Sequence, residues 1–254
     1  MASDGPGSGF KDHFSERSAG YAAFRPIYPA ALVDFLAAVS SQHAVALDCG
    51  CGSGQLSVPL ARRFDRVIAI DASAEQIKHA EAHPRVEYRV AKAEETGLPD
   101  GSADLITVAQ AAHWIDRDRF YAEARRVARR GAVVALITYG NGQVDGEVDP
   151  ILSRFYEDVV GPYWPPERRL VETGYRTLAF PFREIDPPPL DIVASWRLAD
   201  LLGYVRTWSA VNQAERVLGT APMDTLTREL GEAWGDPETR RPITWPLSVR
   251  AGRV

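Results

Sequence analysis

Ala46-Leu47-Asp48-Cys49-Gly50-Cys51-Gly52-Ser53-Gly54-Gln55 places three glycines at alternate positions between an apolar strand and a helix. Glycine has no Cβ, so such a turn can take dihedrals closed to other residues. It also lets a ligand press on the main chain beside the free N–H groups of the helix start. The spacing differs from the Gly-x-Gly-x-x-Gly of dinucleotide loops, which seat a pyrophosphate on the helix N-terminus. Here an acid opens the loop. A carboxylate at Asp48 repels a pyrophosphate and favours an ammonium or sulfonium, which argues against a dinucleotide oxidoreductase.

Outward from this loop the pattern alternates. Residues 44–48 form a continuous apolar run, as a strand buried on both faces does. Upstream, Pro29 suits a first helical turn, with Leu32, Phe35, Leu36 and Val39 on one face. Downstream a helix is expected over 54–64, with Pro59 tolerated near its first turn. A second strand over 66–71 ends in another acid, Asp71, and Ser73-Ala74-Glu75-Gln76 is a capping box opening a helix that stops before Pro84. Strands are expected over 86–90, 103–109 and 132–138. Before the last of these, Asp116 or Asp118 caps a helix whose Phe120, Ala124, Val127 and Ala128 face inward and which Gly131 ends. This alternation predicts an α/β fold, a doubly wound and mostly parallel sheet with right-handed crossovers, whose ligands sit beyond the carboxyl ends of the strands.

Beyond Tyr139 the regular alternation is lost, prolines cluster at Pro162, Pro165, Pro166 and Pro187-Pro188-Pro189, and aromatics become dense. Helices are expected over 149–159, 195–207 and 222–234, and strands over 180–185 and 243–249, the strands closing a seven-stranded sheet in antiparallel fashion. The division is a disordered start (1–10), a ligand-binding core (11–140), an insertion acting as a substrate lid (141–179) and a part completing the sheet (180–254). The 254 residues, 45% hydrophobic and 25% charged, are ordinary globular material. A net charge of −5 without a basic stripe excludes nucleic acid as a partner. No run approaches the ~20 apolar residues of a membrane span, and residues 1–9 lack a signal core, so a soluble, cytoplasmic protein is expected, monomer or homodimer. Cys49 and Cys51 are the only cysteines. Two residues apart inside the loop, they are expected to pack beneath it, with no disulfide and no metal site.

Asp71 stands 23 residues past Asp48 at the end of the adjacent strand. A carboxylate there can accept both vicinal hydroxyls of a ribose, as the acid of dinucleotide folds does. The acid-x-Gly-x-Gly-x-Gly loop followed by Asp71 resembles the class I S-adenosylmethionine-dependent methyltransferases, and the segments 21–29 and 108–116 resemble, within them, the methyltransferase type 11, trans-aconitate methyltransferase-like branch. The resemblance is carried by residues 14–140. It implies a Rossmann-like methyltransferase fold with S-adenosyl-L-methionine as cofactor, held by Asp48, Gly50, Gly52, Gly54 and Asp71, with Ala72 and Gln76 near the adenosine. The segment Ala91-Lys92-Ala93-Glu94 resembles the family's adenine side. Many relatives carry an acid where this chain has Lys92, so Ala93 and Glu94 are expected to substitute. Tyr21-Ala22-Ala23-Phe24-Arg25-Pro26-Ile27-Tyr28-Pro29 looks like the branch's N-terminal signature, which would set Arg25 on the cofactor carboxylate and Tyr21 over the methyl-bearing sulfur.

Val108-Ala109-Gln110-Ala111-Ala112-His113-Trp114-Ile115-Asp116 is of the same branch and lacks the Asn/Asp-Pro-Pro-aromatic run of enzymes that methylate DNA or protein amides. Gln110 would line the cofactor cleft. His113 is the candidate catalytic residue with Tyr21, as base or orienter, and Trp114, Tyr139, Trp164 and Tyr175 are candidates for the acceptor pocket. Arg176 or Arg206 could pair with an acidic acceptor. The resemblance implies methyl transfer to a small molecule, with oxygen, as carboxylate or hydroxyl, ahead of nitrogen. A non-catalytic cofactor-binding module is the alternative from another class.

Overall fold

The structure is a computed structural model that describes residues 24–254. The expectations for 1–10 and for Tyr21 lie outside the described residues. Strand β1 (Val45–Cys49) is central, and its side chains alternate between two layers as strand geometry requires. Ala46 joins one apolar cluster with Leu105, Val133, Ala135 and Ile137, while Leu47 joins another with Ile106, Val134 and Leu136. Both faces of the sheet are therefore covered, which is why these strands are apolar throughout.

Strands β2 (Arg66–Asp71), β3 (Val86–Val90), β4 (Ala103–Ala109) and β5 (Ala128–Tyr139) run parallel with β1 in the order β3-β2-β1-β4-β5. Three later strands complete an eight-stranded sheet: β6 (Arg183–Ile185), β7 (Asp191–Trp196) and β8 (Arg241–Arg253). Strand β8 runs antiparallel to β5, and its long span also pairs β6 and β7. The helices are α1 (Ala30–Val39), α2 (Ser57–Leu60), α3 (Ala74–Lys78), α4 (Arg117–Val127), α5 (Val148–Arg154), α6 (Arg168–Glu172), α7 (Leu198–Arg206), α8 (Ser209–Leu218) and α9 (Ala221–Trp234). As its spacing predicts, α1 buries Leu32 and Leu36, and α4 buries Phe120, Ala124 and Val127 behind an Asp116 cap that accepts from the Arg119 amide.

The departures have local causes. The eighth strand is β7, which occupies the start of the helix expected over 195–207; its residues pair with β8 from Asp191 opposite Pro246 to Trp196 opposite Arg241, and cross-strand pairing overrides helical spacing there. The helix expected over 149–159 changes at Phe155 to a π-helical turn, Phe155–Val159. The helices expected over 54–64 and before Pro84 shrink to α2 and α3, and α8 carries no expected counterpart. Residues 180–254 share their apolar cluster with the parallel half, since Ile243, Trp245 and Ala251 pack with Ala46 and Val133.

A buried carboxylate ties the strand starts together. Asp104, at 1% exposure, accepts the Val45 amide at 2.8 Å on Oδ2, while one Arg129 nitrogen donates to both its oxygens at 2.9 Å. Asp104→Ala leaves the Val45 amide and the guanidinium without that partner. The expected cost is about 2 kcal/mol, seen as a melting temperature lower by about 5 °C. An unchanged melting curve would remove this carboxylate from the fold's supports.

Candidate functional site

The chain turns back toward opposite sides of the sheet on leaving β1 and β4, and a cavity of about 830 Å³ opens beyond their carboxyl ends. Two glycine backbones shape its floor, Gly50 and Gly52, with φ of +67° and +56°, and Gly54 follows at +102°. A Cβ on Gly50 would stand 2.5 Å from the Ala111 Cβ, so the loop after β1 and the loop after β4 touch because glycine is there. The amides of Gly50 and Cys51 donate to the Ile70 carbonyl at 2.8 and 3.0 Å, fastening the loop to the end of β2.

Asp48 lies at 1% exposure where β1 meets the cavity. Ser57 donates to its Oδ2 at 2.6 Å and Thr107 to its Oδ1 at 2.7 Å. Burial pushes this carboxyl up to about 6; the two hydroxyls offset part of that rise and the charge of Asp71 adds to it. It is thus a carboxylate at neutral pH held where any cation in the cavity lowers its energy. Asp71 receives the Gly52 amide on Oδ2 at 2.9 Å and the Ser73 amide on Oδ1 at 2.8 Å. The Ser73 hydroxyl caps α3 by accepting from the Gln76 amide, yet Gln76 does not close the expected box: its Oε1 is buried at the cavity wall without a hydrogen-bond partner.

Ala72, Ala93, Glu94, Gln110, Trp114 and Tyr139 also line the cavity, with Arg25. Glu94 accepts the Asp116 amide at 2.7 Å and so ties the segment after β3 to the cap of α4. Gln110, at φ +54°, is braced against the end of β5 by donating to the Tyr139 carbonyl at 2.9 Å and accepting from Thr138 at 2.7 Å. Arg25 lies 5.6 Å over the Tyr204 ring with one nitrogen 3.4 Å from the Thr207 carbonyl, so the late segment 204–209 contributes to the site from behind. His113 is half-buried at the cavity wall, its ring 4.7 Å from that of Trp114 and its Nδ1 2.8 Å from the Tyr175 hydroxyl. Burial, with the Arg168 guanidinium nearby, pushes the imidazole down to about 3. It is neutral at physiological pH.

Three expected contacts are placed elsewhere. Tyr175 is fully buried behind His113 and does not line the cavity. Trp164 packs on Tyr156 and Trp208, with ring centroids at 4.9 and 5.8 Å, beneath the Arg168 guanidinium. Gly54 faces the Tyr88 hydroxyl of β3 instead, where a Cβ would collide. In each case at least one neighbour that claims the residue, His113, Trp208 or Tyr88, comes from a distant segment. Arg176 and Arg206 are exposed and outside the cavity, whereas Arg117 and Arg119 line it. Of residues 141–179, Glu167 reaches the cavity wall. The sequence reading also missed Tyr28 and Ile115 as lining residues; both lie inside segments it had singled out, and Glu167 carried no signal. Cys51 lines the cavity with its thiol pushed up by burial, and both thiols are free. Among the described residues no His, Cys, Asp or Glu cluster could hold a metal ion, and no helix is long and apolar enough to cross a membrane.

The profile of the family described as methyltransferase domain matches residues 47–136, from β1 into β5. A Dictyostelium discoideum protein named as a methyltransferase is 35% identical over 204 residues, 79% of this chain and 78% of its own. A Mycobacterium tuberculosis protein, named as an uncharacterised methyltransferase, is 34% identical over 125 residues, 49% of this chain and 51% of its own. Among solved structures, a protein of Anaeromyxobacter dehalogenans described as a type II methyltransferase superposes with a TM-score of 0.85 at 52% identity, covering 91% of this chain and 98% of its own.

Proposed function

This chain belongs to the class I S-adenosylmethionine-dependent methyltransferases, and we propose that it methylates an oxygen atom of a small molecule in the cavity beyond β1 and β4. The observation that carries the reading is Asp48: a buried carboxylate at the floor of a glycine loop favours a cation and disfavours linked phosphates. Three features fit an adenosyl amino acid. The Gln76 Oε1 is a buried acceptor awaiting a donor, Gly52 at φ +56° brings bare backbone to the cavity, and the Asp71 carboxylate lines the cavity at the end of β2, where ribose hydroxyls would lie. In this reading Ala72, Ala93 and Glu94 flank the adenine, and Arg25 faces the amino-acid carboxylate. A volume of about 830 Å³ also leaves room for an acceptor against His113, Trp114 and Tyr139.

When bound, S-adenosylmethionine supplies an electrophilic methyl group on a sulfonium. Asp48 holds the positive end, Gln110 is braced at the floor, and His113 with Trp114 walls the line of approach. Alignment of this kind can supply ~7–11 kcal/mol of a displacement barrier, which makes exclusion of water and fixed geometry the chain's main contributions.

Calorimetry with adenosylhomocysteine is expected to show one site per chain, and NADH to give no heat. Incubation with methyl-labelled cofactor and a mixed set of small carboxylic acids, alcohols and amines is expected to label an ester or ether. Binding of NADH in place of adenosylhomocysteine, or label confined to amines, would overturn the proposal.

A further inference from the structure

We propose that the chain carries a second ligand site, a cavity of about 240 Å³ between the loop after β5, the helices α5 and α7, and β8, and that it takes a small hydroxyalkyl ammonium, a methylated amino alcohol. The site does not rest on the methyl-transfer reading, because it shares no lining residue with the cavity beyond β1 and β4. Tyr204 stands between the two: it lines the smaller one, and Arg25, which lines the larger, lies 5.6 Å over its ring.

The walls follow from residue spacing. Asp149, Leu152 and Ser153 share one face of α5, Leu201 and Tyr204 share one face of α7 with Trp208 just beyond its end, and Ile243 and Trp245 lie on the same side of β8. The loop after β5 closes the space. Gln143 exchanges two backbone hydrogen bonds with Thr244 at 2.8 and 2.9 Å, and Gly142 lies so close to the Trp245 indole that a Cβ would stand 2.6 Å from it. The floor is thereby buried and apolar, with three aromatic rings, whereas Asn141, Gln143 and Ser153 are exposed at the mouth.

Two groups at this cavity lack the partner that their chemistry calls for. Asp149 is half-buried and its Oδ1 accepts the Val144 amide at 2.7 Å, yet it forms no ion pair among the described residues and no basic residue lines the cavity. Trp245, at 0% exposure, keeps an indole N–H that no described group accepts, which is uncommon for a buried donor. A carboxylate without a cation selects a positive ligand and repels an anion. The aromatic rings of Tyr204, Trp208 and Trp245 favour methyl groups on that nitrogen, as in the sites that hold quaternary ammonium ions. The unused N–H calls for an oxygen acceptor on the same molecule. A volume of about 240 Å³ is below the ~300–1,000 Å³ of sites for drug-sized ligands, so the molecule is small.

The test is NMR of the indole N–H groups in the tryptophan-labelled full chain, without cofactor, on adding one of three probes. These are choline, neohexyl alcohol, which keeps choline's shape with carbon in place of nitrogen, and pivalate, an anion of similar bulk. Choline is expected to shift Trp245 and Trp208 and to leave Trp114, in the larger cavity, unmoved. Neohexyl alcohol is expected to bind at least about tenfold more weakly, and pivalate not at all. Asp149→Asn keeps an acceptor for the Val144 amide and is expected to bring choline down to the level of the alcohol, while Ser153→Phe, at an exposed position of the mouth, is expected to block both. Melting curves like the parent's show that the two variants are folded. No shift of Trp245 with choline, a shift at Trp114 in its place, equal affinity for choline and the alcohol, or undiminished choline binding in Asp149→Asn would overturn the proposal. Adenosylhomocysteine is titrated separately, and its failure to bind strikes the methyl-transfer reading while leaving this site standing.

Discussion

Asp48→Asn is expected to weaken adenosylhomocysteine binding by about 100-fold and, at pH 8, to leave the protein more stable than the parent. The first effect follows from removing a buried charge that faces a ligand ammonium, an interaction of about 1.5–3 kcal/mol. The second follows from the raised pKa. A carboxyl at about 6 in the folded chain, against an ordinary value near 4, is one whose protonated form the fold prefers. Its contribution to stability is present below about pH 4 and is lost as pH rises through about 6, a cost of about 3 kcal/mol at pH 8. Asparagine keeps the shape without the charge and recovers part of that cost, about 1 kcal/mol once the Ser57 bond is reorganised. The parent's affinity should fall about tenfold from pH 7 to pH 5 as Asp48 protonates, and the variant's should stay flat. Calorimetry and thermal melts at three pH values decide it. Undiminished affinity in the variant would mean that the buried carboxylate serves the fold and not the ligand.

Gly50→Ala is expected to cost about 3 kcal/mol of stability and at least about tenfold in cofactor affinity. The left-handed backbone at φ +67° accounts for about 1 kcal/mol, and the overlap with the Ala111 Cβ for about 2 more. Two controls separate these. Gly97 has φ +70° with open space around it, so Gly97→Ala should carry the backbone cost alone and leave binding untouched. Adding Ala111→Gly to Gly50→Ala removes the overlap and should restore about 2 kcal/mol and most of the affinity. Denaturant unfolding of the three proteins with parallel titrations is the measurement. A double variant no better than Gly50→Ala would show that contact between the two loops is not what fixes the glycine.

The parallel half was legible because its signals are local. An apolar run ending in an acid announces a strand reaching a site, and Asp48, Asp71 and Gln110 each stand where their strand ends at the cavity. The aromatic residues after Tyr139 carry no such positional meaning. Trp164 and Tyr175 look alike in sequence, yet one packs on Trp208 and the other reaches under β5 to His113, and both outcomes depend on partners some 30 to 60 residues away. Strand β7 was hidden for the same reason: it is defined by pairing with β8, a segment about 50 residues later, and residues 195 and 196 of the expected helix are drawn into it.

Strand β8 imposes an order on folding. It pairs Val133 of β5 with Arg253 and Tyr139 with Leu247, joining segments more than a hundred residues apart, and it holds β6 and β7 as well. Until residues 241–253 arrive, β5 presents an unpaired apolar edge, and Tyr175 has no Arg250 to clamp its carbonyl. Closure is therefore a slow, late event set by long-range contacts, and a nascent chain halted before it would expose an edge that chaperones bind.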